Sequence, residues 1–172
     1  MTSDNHENLI AREKPGNDGA IPSGNAIAVM NLFRLYGFTS KETYRKRADK
    51  TLVAFSKTME SSPTAMSEMM LALDYSMDSS KEVIIVSPNG RKEDSEPYLK
   101  KLRSIYFPNR VLIQVEEGEQ AQKLATLIPG VAGKTAIGGK PVAYVCEHGV
   151  CRLPSYTPSE FAAQIKERKM IE

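Results

Sequence analysis

Three places in this 172-residue chain bring together side chains that could do chemistry. The first is Asp18-Gly-Ala-Ile-Pro-Ser-Gly-Asn25, a polar turn that runs directly into the apolar stretch Ala26 to Leu35. Asp18 offers a carboxylate, Ser23 a hydroxyl and Asn25 an amide, groups with which a binding site can hold a polar ligand. Asn31, inside the apolar stretch, adds an amide that must find backbone, water or ligand if it is buried. The same turn has a plainer use. Ser23 or Asn25 can bond the unpaired N–H groups of a helix start, while Pro22 fixes one backbone angle and the glycines permit others.

The second place is Cys146-Glu-His-Gly-Val-Cys151. Four residues separate the cysteines, two more than in a thioredoxin-type pair, and Gly149 suits a tight turn. Three readings stay open: structural cysteines in a hairpin-like turn, a reversible disulfide with a redox role, or weak metal binding with His148. A zinc site needs two further ligands and the only other histidine is His6, so no metal is assigned. The third place, Gly133-Lys134-Thr135, has the ending of a phosphate-binding loop. The full pattern needs glycine where Ile128 stands, and Ala136-Ile-Gly-Gly is a poor helix opening, so a flexible loop is expected. No GxGxxG, close carboxylate pair or Ser-His-Asp arrangement is present, and no cofactor is expected.

The positioning elements follow from periodicity. A helix from about Ser23 to Tyr36 is apolar around most of its circumference, with Gly37 as its C-cap and Thr39 or Ser40 capping the next helix. Between Lys41 and Glu60, Tyr44, Ala48, Leu52, Phe55 and Met59 form one stripe of an amphipathic helix. Pro63 opens a third, whose Met66, Met69, Met70, Leu73 and Met77 share a face that reads as core rather than as a soft-metal surface. From about Ser79 the pattern changes. Short apolar runs at 83–86, 111–115 and 141–146 alternate with helical segments at 94–106, 119–128 and from Pro158, which predicts strands and helices in alternation. The expected fold class is α/β: a helical segment, 1–78, and a small, mainly parallel three-layer α/β domain, 79–172, carrying the cysteine turn.

Composition narrows the functional classes. With 23 basic and 21 acidic residues the net charge is +2, which gives no electrostatic case for nucleic acid. No apolar run reaches the length of a membrane span, and the polar N-terminus is unlike a signal peptide, so a cytoplasmic chain without membrane contact is expected.

Several segments occur together in an order that carries a resemblance: Asp18 to Asn25, Asn31-Leu-Phe-Arg-Leu35, Met70-Leu-Ala-Leu-Asp74, Val83-Ile-Ile-Val86, Tyr106-Phe-Pro-Asn109 and Ala143 through Cys151. From about Leu9 to Phe161 the chain resembles the C-terminal portion of the thioredoxin-domain-containing, N-acylglucosamine-2-epimerase-like family of the spermatogenesis-associated protein 20 type. The resemblance implies a thioredoxin-like domain and an (α/α)6 barrel, similar to six-hairpin glycosidases, ahead of the α/β region. It makes this chain comparable to a fragment holding the last barrel helices, with Asp18, Ser23 and Asn25 at the barrel mouth facing a carbohydrate-like ligand. It implies no catalytic residue, because the family's activity is unsettled, and the isolated chain is not expected to be a competent enzyme. The alternative is a non-catalytic module that docks to missing domains or self-associates through apolar helix faces.

Overall fold

A computed structural model describes residues 16–78, 80–147 and 149–166. Two compact units are present, one holding residues 16–36 and Lys41–Met77, the other Gly37–Ser40 and the described residues from Asp78 on.

The first unit is helical. α1 (Gly24–Thr39) and α2 (Glu42–Ser61) are followed by a 3-10 turn, Pro63–Met66, that leads into α3 (Ser67–Met77). Proline cannot donate an N–H, so Pro63 suits the first position of that turn. One core collects Ala26, Val29, Met30 and Phe33 from α1, Ala48, Leu52 and Met59 from α2, and Met66, Met69, Ala72 and Tyr75. The rings of Phe33 and Tyr75 stack with centroids 6.1 Å apart. Gly16 is buried against this core: a Cβ there would lie 2.3 Å from the Phe55 ring, a separation only glycine avoids. Gly37 does not end α1, as its expected capping role required. The helix continues to Thr39, and Ser40 takes the left-handed conformation (φ 54°) that breaks it; Lys41 then precedes α2 without a side-chain cap. The methionines at the expected face divide: Met66 and Met69 are in the core, while Met70 and Met77 are exposed.

The second unit is a sheet with helices on both faces. β1 (Lys81–Ser87) leads through α4 (Glu96–Arg103) to β2 (Arg110–Glu116), then through α5 (Glu119–Ala125) to β3 (Val142–Glu147), β4 (Val150–Cys151) and α6 (Pro158–Lys166). The strand order is β2-β1-β3-β4. Val83, Ile85, Ala143 and Val145 pack on one face with Tyr98, Leu99 and Leu102 of α4 and Phe161 and Ile165 of α6. Ile84, Val86, Ile113, Val115, Val142 and Tyr144 pack on the other with Ala121 and Leu124 of α5, and with Val131 and Phe38. Because alternate residues of β1 serve opposite faces, its core run is apolar without interruption, as a strand covered on both sides requires.

The α/β class and the layering stand, but the sheet is mixed rather than mainly parallel. β1 and β2 are parallel, in register from Lys81↔Arg110 to Ser87↔Glu116, whereas β3 runs antiparallel to β1, Val86 facing Val142 and Lys81 facing Glu147. The physical reason is the connection. α5 has only seven residues, about 10 Å of helix, too short to run the length of a seven-residue strand. The stretch from Thr126 to Pro141 then returns the chain to the end of the sheet it had just left, so β3 enters from that end.

Candidate functional site

The polar turn is built around Asp18. One carboxylate oxygen accepts the Ser23 N–H and the other the Glu68 N–H, both at 2.8 Å, while Asp18's own N–H donates to the Ala65 carbonyl at 2.8 Å. Glu68 lies in the first turn of α3, where the N–H groups lack partners within the helix and a negative charge is favoured. Asp18 thus caps α3 from fifty residues away and closes its own turn at the same time. Ser23, buried at 6% exposure, accepts the Ala26 N–H at 3.2 Å through Oγ and caps α1. Asn25 is half-buried and engaged, whereas Asn31 is exposed on α1 and has no burial cost to satisfy. The turn therefore gathers Asp18, Ser23 and Asn25 and leaves Asn31 apart, and a ligand at Asp18 would compete with two backbone N–H groups.

The cysteine turn is a hairpin. Cys146 and Cys151 face one another across β3 and β4 and are joined by a disulfide, with Gly149 at φ 78° in the turn. Cys146 is buried and Cys151 exposed. Neither sulfur is a free thiolate for a metal, and His148 lies outside the described residues. No group of metal-ligating side chains is found among the described residues.

Beside this hairpin lies a residue that periodicity gave no reason to single out. Lys81, at the start of β1, has a side chain only 1% exposed. Its ammonium donates to the Gln164 carbonyl of α6 at 2.9 Å, sits 3.3 Å from Glu147 Oε1 and lies 5.8 Å from the Phe107 ring centroid. The Glu147 contact is an ion pair without an aligned hydrogen bond, and Arg152 approaches the same oxygen at 3.8 Å. In the sequence Lys81 reads as a polar boundary to an apolar run; only the register, which sets it against Glu147, reveals its burial.

Gly133-Lys134-Thr135 forms a loop that leads into no helix, with Gly133 at φ 72°, so no helix N-terminus is there to face a phosphate. Tyr144 pins it, its hydroxyl donating to the Thr135 carbonyl at 2.8 Å, and Lys134 Nζ stands 5.4 Å from the Tyr144 ring centroid. Burial lowers the Lys134 pKa and raises that of Glu82, and each charge partly offsets the other's shift. Glu82's folded value lies above its unfolded one. Its contribution to stability is therefore full below the unfolded value and is lost as pH rises through the folded value. Lys134→Met removes the offsetting cation, so the Glu82 titration followed by carboxyl carbon NMR should move further up in pH. An unmoved midpoint would show that the two charges do not interact.

The helical unit also carries an apolar groove. Leu52, Val53, Met59, Met70 and Leu73, with Ser56 and Glu60 at its polar margin, line a cavity of ≈ 360 Å³ between α2 and α3. Val53 is 73% exposed. Ser56 contributes no open hydroxyl, since its Oγ donates to the Val53 carbonyl of its own helix at 2.9 Å. Spacing alone placed Leu52, Met59 and Leu73 in the core and gave no sign that the core is open between these two helices.

No family model and no solved structure matches this chain. It is similar to spermatogenesis-associated protein 20 of Homo sapiens, 33% identical over 152 residues, and of Rattus norvegicus, 31% identical over the same length. Those residues are 88% of this chain and 19% of each relative. The chain is homologous to the spermatogenesis-associated protein 20 family. An uncharacterized protein of Caenorhabditis elegans, 28% identical over 150 residues, matches 20% of its own length. The chain spans about a fifth of the length of the curated relatives it matches. Among the described residues no helix is long and apolar enough to cross a membrane.

Proposed function

We propose that this stretch is a non-catalytic packing module of spermatogenesis-associated protein 20-like proteins, and that the groove between α2 and α3 receives an apolar helix from the remaining length of such a protein. The open groove is the observation that carries the reading. Its walls are hydrocarbon and thioether, and Met70 and Val53 at its lip are free to adapt to a partner. A surface of this kind favours association over solvation. The resemblance to the last helices of an (α/α)6 barrel supports a helical occupant, since barrel helices pack side by side. Asp18 and Ser23 keep a structural role in this reading: they fix how α1 and α3 begin. A carbohydrate-like ligand at that turn remains an implication of the barrel resemblance, and nothing in the hydrogen bonding of Asp18 favours it over capping.

The reading is tested by association in trans. The human relative, produced without the stretch that matches, is mixed with this chain, and complexes are read by size-exclusion chromatography with light scattering. The human matching stretch serves as the positive control. A one-to-one complex is expected, weakened at least about tenfold by Val53→Glu with Met70→Glu, as for loss of central contacts in an interface. No complex while the control forms one, or a complex indifferent to these substitutions, would overturn it.

A further inference from the structure

The α/β unit carries a second interaction surface, independent of the groove. β2 is the outer strand of the sheet among the described residues, seven residues long and without proline. A strand in that position exposes a row of N–H and C=O groups unless a bulge, a proline or a cover blunts it. Which groups these are follows from the ladder. The Glu117 N–H donates to the Ser87 carbonyl and the Lys81 N–H to the Asn109 carbonyl, so odd-numbered residues of β2 point at β1 and even-numbered ones point away. At the two ends the outward N–H groups are already used: Arg110 donates to the Pro108 carbonyl and Glu116 to Gln120 Oε1. Leu112 and Gln114, in the middle, present their backbone outward, and the Leu112 side chain is 37% exposed.

We infer that the occupant of this edge is β2 of a second copy of this chain, paired antiparallel about a two-fold axis through Ile113. The sequence Arg110-Val-Leu-Ile-Gln-Val-Glu116 is self-complementary about its centre. With the axis there, Leu112 faces Gln114 of the other copy. Both are outward-pointing residues, so they exchange N–H···O bonds in both directions. Arg110 faces Glu116 at each end, an opposite-charge pair of the kind that stabilises directly opposed positions. Val111 faces Val115 and Ile113 faces itself, so the apolar layer on the α5 side continues across the axis. A slip by one residue would oppose an inward-pointing residue to an outward one, and a slip by two would set Arg110 against Gln114 and leave Glu116 with no facing residue. The register that satisfies the backbone is therefore also the one that pairs the charges. The interface is isologous and closes at two copies. The far edge is different: β4 is two residues long and tied to β3 by the disulfide, leaving little backbone to extend.

The test is sedimentation equilibrium across a concentration series, with far-UV circular dichroism to confirm folding. The wild-type chain is expected to form a dimer. Arg110→Glu and Glu116→Arg alone should each weaken it about tenfold, because two attractive pairs become repulsive, and the two reversals together should restore it. Site-resolved hydrogen exchange should show the Leu112 and Gln114 amides protected only at dimer-forming concentrations. The inference is overturned by a chain that stays monomeric at every concentration, by a dimer indifferent to the reversals, or by a dimer in which those amides exchange freely. A monomer with both amides protected would place another segment of the chain on the edge, and would equally overturn it. Val53→Glu with Met70→Glu should leave this dimer intact, so its failure and that of the groove are separable.

Discussion

Replacing Lys81 with alanine is expected to destabilise the α/β unit by about 3–5 kcal/mol, the loss typical of removing one partner from a buried ion pair. The side chain is 1% exposed, so its charge has no water to fall back on and is held by the Gln164 carbonyl and Glu147. Without it, Glu147, whose side chain is 15% exposed, keeps among the described residues the distant Arg152 at 3.8 Å. The substitution also removes the aliphatic stem that packs near Phe107, which leaves a cavity beside α6. Lys81→Met separates the two costs: it keeps most of the volume and loses the charge. If the charge dominates, Lys81→Met should be nearly as damaging as Lys81→Ala, and adding Glu147→Gln should recover part of the loss by removing the uncompensated carboxylate. Urea unfolding followed by circular dichroism measures all three. A loss under about 1 kcal/mol for Lys81→Ala would place the pair among solvated surface ion pairs and refute the argument.

Lys81 also marks where the sequence stops being readable. Elements with strong periodicity came through: the three expected strands lie within one or two residues of β1, β2 and β3, and α2 matches the stripe of Ala48, Leu52 and Met59. These succeed because burial of a face is written locally, in the side chains of the element itself. Pairing is not written locally. Nothing in residues 126–141 states that the chain turns back before β3, so an alternation of strands and helices suggested a parallel sheet where β3 is antiparallel. The burial of Lys81 follows from that same pairing, because it is the register with β3 that brings Glu147 to it. Gly37 erred for another reason. Glycine is permitted in a left-handed cap but not obliged to form one, and Ser40 took that conformation at some conformational cost. In the candidate turn the residue types were legible, while the long-range partner of Asp18, Glu68, was not.

That partner sets the second large expectation. Asp18→Ala should destabilise the helical unit by about 2–3 kcal/mol, since two hydrogen bonds to a charged group are lost and one of them ties the turn to the first turn of α3. The upper end of a simple sum is not expected, because Asp18 is only half-buried and water can reach the N–H groups left behind. Asp18→Asn should recover little. Its amide can still accept from one N–H, but it then sets an NH₂ against the other, and two donors face each other. Hydrogen exchange locates the damage: the Ser23 and Glu68 amides should exchange at least about tenfold faster, while amides of β1, in the other unit, should be unaffected. This measurement also decides between the two uses of the turn. A residue kept for a ligand can be removed from the unliganded chain without loss, and often with a gain, because carboxylates held ready for binding are seldom fully bonded within the protein. A residue that joins two helix starts cannot. Unchanged stability and unchanged exchange in Asp18→Ala would therefore return Asp18, Ser23 and Asn25 to the role of ligand contacts, whereas the expected loss assigns them to the architecture that holds α1 and α3 in place beside the groove.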